Sequence, residues 1–245
     1  MCIKLNEYKL FNSNLESILE KNKKIVINTI NAHSYIVAKK DAEFKNALVK
    51  SEVLLPDGEG IVFMVKQLQG IKIRKIAGAD LHLFLLDYAN KKKLKCFYLG
   101  SNQKTLNLIK ERLSDSYPNL KFSFFSPPFK YEFSVEDNNK MISEINSFNP
   151  DILFVGMTAP KQEKWVTKNK EFIDAKIICS IGAVFDFFAG TKKRAPAWLI
   201  ALKLEWFYRS FTAWRLAKRY LYSTPLFLIE LYRLKLFPKQ NKADV

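Results

Sequence analysis

The feature that most constrains this chain is the alternation of short apolar segments with longer stretches of helical periodicity. The apolar segments have the length of buried strands and span residues 24–29, 53–55, 94–99, 122–125, 152–155 and 176–181. The stretches between them that we interpret as helices span residues 32–50, 61–68, 103–114, 138–147 and 161–170. This alternation predicts an α/β fold of Rossmann-like type, in which helices cover both faces of a mostly parallel sheet.

In such a sheet, ligands bind beyond the carboxyl ends of the strands. The loops expected to form a site therefore follow Thr29, Leu55, Leu99, Val155 and Ile181. Asp57 lies in one of them, within LLPDGEG, where glycines let a substrate approach the backbone. A carboxylate placed there can take a proton from an attacking hydroxyl, whereas the alternative interpretation is an ordinary Asp-Gly turn.

Two other strand-to-loop segments carry polar residues. In VGMTAPKQEKW a helix begins near Pro160, and the free amides of its first turn suit a phosphate. Gln162 in that turn is predicted to point toward a ligand, and the alternative is a solvent-facing residue beside a helix cap. In IGAVFDFFAGTKKRAP, Asp186 interrupts an apolar run, and we interpret it as a structural carboxylate paired with Arg194.

The charge balance limits the classes of partner. The chain has 40 Lys and Arg against 24 Asp and Glu, a formal charge of +16, which predicts attraction to nucleic acid, an anionic membrane or a phosphorylated substrate. Basic and aromatic residues concentrate near the C-terminus, where the pattern changes. We therefore predict a core domain over residues 1–194 and a helical, membrane-associating appendage over residues 195–245, with Pro225 bending or interrupting the helix.

Several site classes have little support in the sequence. The cysteines Cys2, Cys96 and Cys179 are far apart, and the last two lie in apolar runs, so they are expected as buried strand residues. With His33 and His82 as the only histidines, neither a metal site nor a Ser-His-Asp arrangement is indicated. No apolar run has signal-peptide or membrane-spanning length, so a cytoplasmic protein is expected.

The motifs, taken in order, resemble the WecG/TagA/CpsF glycosyltransferases, also called glycosyltransferase family 26. The resemblance extends from about Lys24 to Tyr220, and its most specific part is PKQE followed by FDFFAG, RAP and EWFYR. Other matching segments are INTINAHSYIVAKKD, LLPDGEGIV, IAGADL, FYLGS, the Tyr-Pro of SYPNLKF, PPFKYE and AKRY.

The resemblance implies an inverting transfer of a sugar, often of N-acetylmannosamine type, from a UDP-sugar to an undecaprenyl-diphosphate-linked sugar. It implies no cofactor and no required metal, and a place in the synthesis of teichoic acid linkers, capsule or related surface polysaccharides. Asp57 corresponds to the proposed catalytic base. The positions that correspond to substrate contacts are Thr29, Asn31, Lys75, Gly100, Gln162, Arg194, Arg209, Arg215 and Arg219.

Two positions depart from the family pattern. Lys75 stands where many members have an arginine, which keeps the charge but loses the bidentate fork toward a phosphate. Ala213 and Trp214 replace the Glu-Pro that often follows the EWxYR element.

The expected partners are the UDP-sugar, the polyprenyl-diphosphate acceptor and the anionic inner face of the cytoplasmic membrane, to which the protein would bind peripherally. Self-association through the aromatic appendage is a further expectation. Nucleic acid is not among the expected partners. Two rival interpretations are nevertheless a basic nucleic-acid-binding protein, suggested by the charge, and a non-catalytic scaffold of a polysaccharide assembly complex.

Overall fold

A computed structural model describes residues 2–21, 23–192, 195–196, 198–199, 202 and 214–237, with residues 214–220 described for their backbone alone. Of the predicted contact residues, Arg194 and Arg209 lie outside this part of the chain. Arg215 and Arg219 lie on the backbone of the helix Trp214–Leu236. The predicted boundary between residues 194 and 195 stays a prediction.

The described strands form one eight-stranded sheet in the order β1-β2-β4-β3-β8-β7-β5-β6. β1 runs antiparallel to β2, and every other neighbouring pair is parallel. The strands are β1 (Cys2–Leu5), β2 (Tyr8–Phe11), β3 (Ile25–Ile30), β4 (Val53–Pro56), β5 (Lys95–Gly100), β6 (Lys121–Phe125), β7 (Ile152–Gly156) and β8 (Ile177–Ser180).

Helices cover both faces of this sheet. The described helices are α1 (Glu16–Leu19), α2 (Ala32–Lys40), α3 (Ala42–Val49), α4 (Glu59–Gln69), α5 (Gly78–Lys92), α6 (Gln103–Ser116), α7 (Val135–Phe148), α8 (Lys161–Asn169), α9 (Val184–Phe188) and α10 (Trp214–Leu236). One face carries a core with α1, α5, α6 and α9, and the other carries two clusters, one with α7 and α8 and one with α2, α3, α4 and α10. The predicted α/β fold is confirmed.

Alternation along the strands explains why both faces are apolar. Cys96 and Tyr98 of β5 belong to the core on one face, whereas Phe97 and Leu99 belong to the core on the other. Cys96 and Cys179 are fully buried, as expected from their apolar runs, and burial raises the pKa of both thiols. Such thiols are poor nucleophiles.

The helix predicted over residues 32–50 is two helices, so the prediction of one continuous stretch was wrong. Asp41 separates them with an extended backbone, and its Oδ1 accepts a hydrogen bond from the Phe44 N–H at 2.9 Å. An aspartate that caps a new helix in this way ends the preceding one because the two backbone conformations are incompatible. The β1–β2 hairpin and α5 were not predicted.

α10 continues through Pro225, so the predicted interruption does not occur. Proline removes one backbone donor from the helix, and the packing of the buried residues Phe227, Leu231 and Leu234 compensates for this loss. Within the described residues, no helix combines the length and apolarity that a bilayer span requires.

Candidate active site

A cleft of about 2300 Å³ opens at the carboxyl edge of the sheet, where the parallel strands end. Single small-molecule pockets usually have roughly 300–1000 Å³, so this cleft has room for two substrates. It brings together six of the predicted residues: Thr29, Asn31, Asp57, Lys75, Gly100 and Gln162. These residues, which are far apart in the chain, thus line one cleft at the carboxyl edge of the sheet, and their roles stay predictions.

Two walls face each other across this cleft. We call the loops after β3 and β4, with the starts of α2 and α4, the β3–β4 wall. We call the ends of β5 and β7, with the loop after β6 and the start of α8, the β5–β7 wall. Both walls contribute residues to the same cleft.

Asp57 stands on the β3–β4 wall, one residue beyond β4. Its N–H donates to the Ile30 carbonyl at 2.9 Å, which extends the ladder between β3 and β4 by one bond. On the other side of β4, the Ile76 N–H donates to the Pro56 carbonyl at 3.0 Å. The backbone that carries this carboxylate is therefore fixed from both sides, and the side chain is partly exposed to the cleft.

Asn31 lies beside this loop and begins α2. Its Oδ1 accepts from the Ser34 N–H at 3.0 Å, and its own N–H donates to Ser34 Oγ at 2.7 Å, so the two residues form a capping box. A Cβ added at Gly60 would lie 2.9 Å from the Ala32 Cβ. Only a glycine lets the starts of α2 and α4 approach this closely, and the positive ends of two helix dipoles thus meet at the cleft.

Lys75 adds a fixed positive charge to the same wall, from the segment that connects α4 to α5. Lys75 and the two helix starts favour an anion in this part of the cleft, whereas Glu59 in the first turn of α4 places one negative charge there. A lysine offers a compact ammonium group, so it stabilises phosphate charge without fixing the phosphate's orientation.

Gln162 lies on the β5–β7 wall and is 3% exposed. Its Oε1 accepts from the Met157 N–H at 3.1 Å, and its Nε2 donates to Glu163 Oε1 at 2.9 Å. These bonds hold the loop between β7 and α8. The residue lines the cleft as predicted, but both ends of its amide make protein contacts, and its predicted contact with substrate stays a prediction.

Gly100 ends β5 and lines the cleft on the β5–β7 wall. Its φ is +123°, and a Cβ there would lie 2.5 Å from the Gly156 carbonyl oxygen. The ends of β5 and β7 therefore meet backbone to backbone, which a side chain at residue 100 would prevent.

Ion pairs surround the cleft. Lys164 lies 2.6 Å from Asp41 and 3.3 Å from Glu43, and its hydrogen bond to Asp41 raises the pKa of its ammonium group. Asp186 pairs with Lys192. The predicted partner Arg194 lies outside the described residues. Within the described residues, Lys192 is a cation on Asp186 because the turn after α9 folds it back onto that carboxylate.

α10 packs against the β3–β4 wall, and its residues Ser223 and Phe227 also line the cleft. The Phe227 ring lies 3.5 Å from where a Cβ at Gly60 would be, and Ser223 Oγ lies 2.6 Å from His33 Nδ1 on α2. Glu230 is 2.5 Å from Lys39 and also binds Arg233. Although burial opposes it, these two cations hold the pKa of the Glu230 carboxyl below its usual value.

Sequence reasoning missed this support because it depends on residues about 190 positions apart in the chain. It also assigned no role to the loop after β6 or to the lysines of α8. The lysines of PKQEK and TKK were visible signals for ammonium groups at the cleft, whereas the contact of α10 with α2 had no local signal. Within the described residues, no three His, Cys, Asp or Glu side chains are grouped as metal ligands, and independence from metal stays a prediction.

Comparison with known proteins finds relatives over most of the chain. The chain is 34% identical over 206 residues to an N-acetylglucosaminyldiphosphoundecaprenol N-acetyl-beta-D-mannosaminyltransferase of Bacillus subtilis (strain 168), covering 81% of this chain and 78% of the relative. Proteins with the same description from Bacillus spizizenii and Staphylococcus aureus (strain MRSA252) are 32% and 30% identical, covering 84% and 79% of this chain and 79% and 74% of theirs. The sequence profile of the Glycosyl transferase WecG/TagA/CpsF family matches residues 3–241. With a profile match over nearly its whole length, the chain belongs to the WecG/TagA/CpsF family of glycosyltransferases.

Proposed function

We propose that this enzyme transfers an N-acetylmannosamine-type or related hexosyl group from a UDP-sugar to a sugar linked to undecaprenyl diphosphate, with inversion at the anomeric carbon. The observation that carries the proposal is the position of Asp57 in one cleft with two helix N-termini and Lys75. The relatives' descriptions support the acceptor and the transferred sugar. The anion-binding character of the β3–β4 wall supports a nucleoside diphosphate as leaving group.

The chemistry requires one base. The acceptor hydroxyl oxygen attacks the anomeric carbon, the bond from that carbon to the diphosphate oxygen breaks, and the hydroxyl proton passes to the Asp57 carboxylate. A single displacement inverts the anomeric centre, so no second carboxylate is needed as nucleophile. The charge that develops on the departing diphosphate is stabilised by the amides of α2 and α4 and by Lys75.

α10 supports a membrane location for the acceptor site. Its inner face packs on α2 and α4, whereas its outer face exposes Leu221, Ile229 and Tyr232 by 72%, 64% and 65%. A helix with exposed apolar residues in a chain of net charge +16 suits the surface of an anionic bilayer. In this proposal α10 holds the cleft at the inner face of the cytoplasmic membrane, where the lipid acceptor is anchored.

The test replaces Asp57 by Asn, which keeps the shape and removes the base. We expect turnover with a UDP-sugar and a short-chain lipid-diphosphate acceptor to fall at least about 100-fold, with little change in thermal stability. The matched control is Glu43→Gln, which alters an exposed carboxylate of the same cleft and should retain turnover. Near-normal turnover by Asp57→Asn would refute the assignment of the base.

A further inference from the structure

The loop that follows β6 presents two aromatic side chains to solvent. We call residues 126–134 the rim loop. Phe129 is 106% exposed and Tyr131 is 93% exposed, the highest values among the large hydrophobic residues that the structure describes. Exposing two neighbouring aromatic side chains fully to water is unfavourable in free energy. This indicates a surface that becomes covered when the protein works.

Contacts along its length hold the rim loop in place. Lys161 of α8 donates to the Lys130 carbonyl and lies 3.5 Å from the centre of the Phe133 ring. Lys130 Nζ lies 2.8 Å from Asp137 Oδ2 at the start of α7. At the beginning of the loop, Ser126 Oγ donates to the Ser101 carbonyl at 2.8 Å. Phe133 is thus turned toward the protein, while Phe129 and Tyr131 stay outside.

The rim loop lies across the cleft from α10. Phe129 and Tyr131 border the cleft on the β5–β7 wall, and Thr224 and Leu228 of α10 border it on the other side. Leu228 is itself 50% exposed. Exposed apolar side chains therefore occur on both sides of the cleft that holds Asp57.

We propose that the rim loop is a second membrane contact, in which Phe129 and Tyr131 enter the boundary between headgroups and acyl chains of an anionic bilayer. The acceptor diphosphate then reaches Asp57 from between two lipid-bound supports, α10 on one side and the rim loop on the other. This inference rests on the proposed function, because a lipid-anchored acceptor requires the mouth of the cleft to face the bilayer.

Composition and charge favour a lipid surface as the occupant. Exposed aromatic rings suit the membrane interface, where the rings enter the apolar region and neighbouring polar groups stay among the headgroups. The net charge of +16 adds attraction to anionic lipid.

The experiment measures binding of the full-length protein to vesicles of phosphatidylglycerol and phosphatidylcholine. In the double variant Phe129→Ser/Tyr131→Ser we expect the partition coefficient to fall by roughly tenfold for each aromatic side chain removed from the bilayer. The matched control is Phe172→Ser, which removes a 66%-exposed phenylalanine from the turn Lys170–Phe172, near the opposite edge of the sheet. The control should bind vesicles as the wild type does.

Activity separates this proposal from its alternatives. We expect the double variant to retain turnover on a water-soluble, short-chain acceptor and to lose it on a long-chain acceptor embedded in vesicles. Unchanged vesicle binding overturns the proposal. So does a loss of turnover on the soluble acceptor with a raised donor KM, because the aromatics would then hold the donor, and so does a loss of self-association without a change in vesicle binding.

The proposed function can fail separately. If the wild type transfers no sugar to either acceptor, the proposed reaction is wrong, and the vesicle measurement alone decides whether the rim loop binds lipid.

Discussion

The two walls of the cleft are built in different ways. The β3–β4 wall carries the proposed base. It is supported by a helix distant in sequence, because Phe227 and Ser223 of α10 contact the starts of α4 and α2. The β5–β7 wall rests on a direct backbone contact between Gly100 and Gly156, and its rim loop exposes aromatic residues. The first wall therefore depends on the docking of α10, whereas the second depends on the sheet itself.

The region beneath the β5–β7 wall has a further distinction. His82 of α5 is 1% exposed, its Nε2 lies 2.8 Å from the Tyr98 hydroxyl, and its ring packs edge-on against Phe154 and Phe188. Burial lowers the pKa of His82 to about 3. This histidine is a neutral core residue. Acid should therefore destabilise the region beneath the β5–β7 wall.

Gly100→Ala should have the largest effect and would disrupt the β5–β7 wall. The new Cβ would lie 2.5 Å from the Gly156 oxygen at a φ of +123°, so we expect the free energy of unfolding to fall by more than about 4 kcal/mol. Urea unfolding measures this free energy.

The control for this variant is Gly70→Ala, at a φ of +70° with no atom within 4 Å. It should lose only about 1–2 kcal/mol, from backbone strain alone. Equal losses in the two variants would show that the contact between the ends of β5 and β7 is not what distinguishes this wall.

Phe227→Ala should weaken the β3–β4 wall through α10. Phe227 is 3% exposed and packs edge-on against Tyr35, so we expect a loss of about 3 kcal/mol and a lower kcat, since the start of α4 loses its support. Unfolding and turnover measure the two effects.

The control on the same helix is Ile229→Ala, which removes a 64%-exposed side chain and should change the free energy of unfolding by less than about 0.5 kcal/mol. If Phe227→Ala loses clearly less free energy of unfolding than this and keeps the kcat of the wild type, the β3–β4 wall does not depend on α10.

The last prediction concerns pH. The folded pKa of His82, about 3, lies below the unfolded value of 6.5, so the unfolded chain takes up a proton first as the pH falls. The contribution of the neutral His82 to the free energy of unfolding is therefore fully present above pH 6.5. Below that pH, this contribution should decrease by about 1.4 kcal/mol per pH unit. His82→Phe removes this titration. Its stability, measured by urea unfolding, should fall less steeply than that of the wild type between about pH 6 and pH 4. Parallel pH profiles for the two proteins would contradict a neutral, buried His82.

The sequence predicted those parts of the fold that depend on local periodicity. Strands such as 94–99 and 152–155 were found because parallel strands buried on both faces are nearly all apolar. The β1–β2 hairpin was missed because each of its strands carries a lysine among its apolar residues, whereas the strands that were found are nearly all apolar. The break at Asp41 was missed because helical periodicity continues on both sides of it.

The candidate site shows the same division. Asp57 was predicted because it follows a strand at the carboxyl edge, and chain order alone fixes that position, whereas Asn31 was predicted from the family resemblance. The bonds of the Gln162 amide to Met157 and Glu163 were not predictable, since they depend on how the loop after β7 folds over the start of α8.

By itself, the sequence determined the α/β class and the position of Asp57 at the carboxyl edge of the sheet, because these follow from which residues are apolar and in what order. Its charge alone left nucleic acid and membrane both open as partners. Only the tertiary structure decided that α10 supports the β3–β4 wall, that Lys192 pairs with Asp186 and that Phe129 and Tyr131 stand outside the core. Such contacts join residues distant in the chain or depend on how a loop turns, and neither leaves a periodic trace in the sequence.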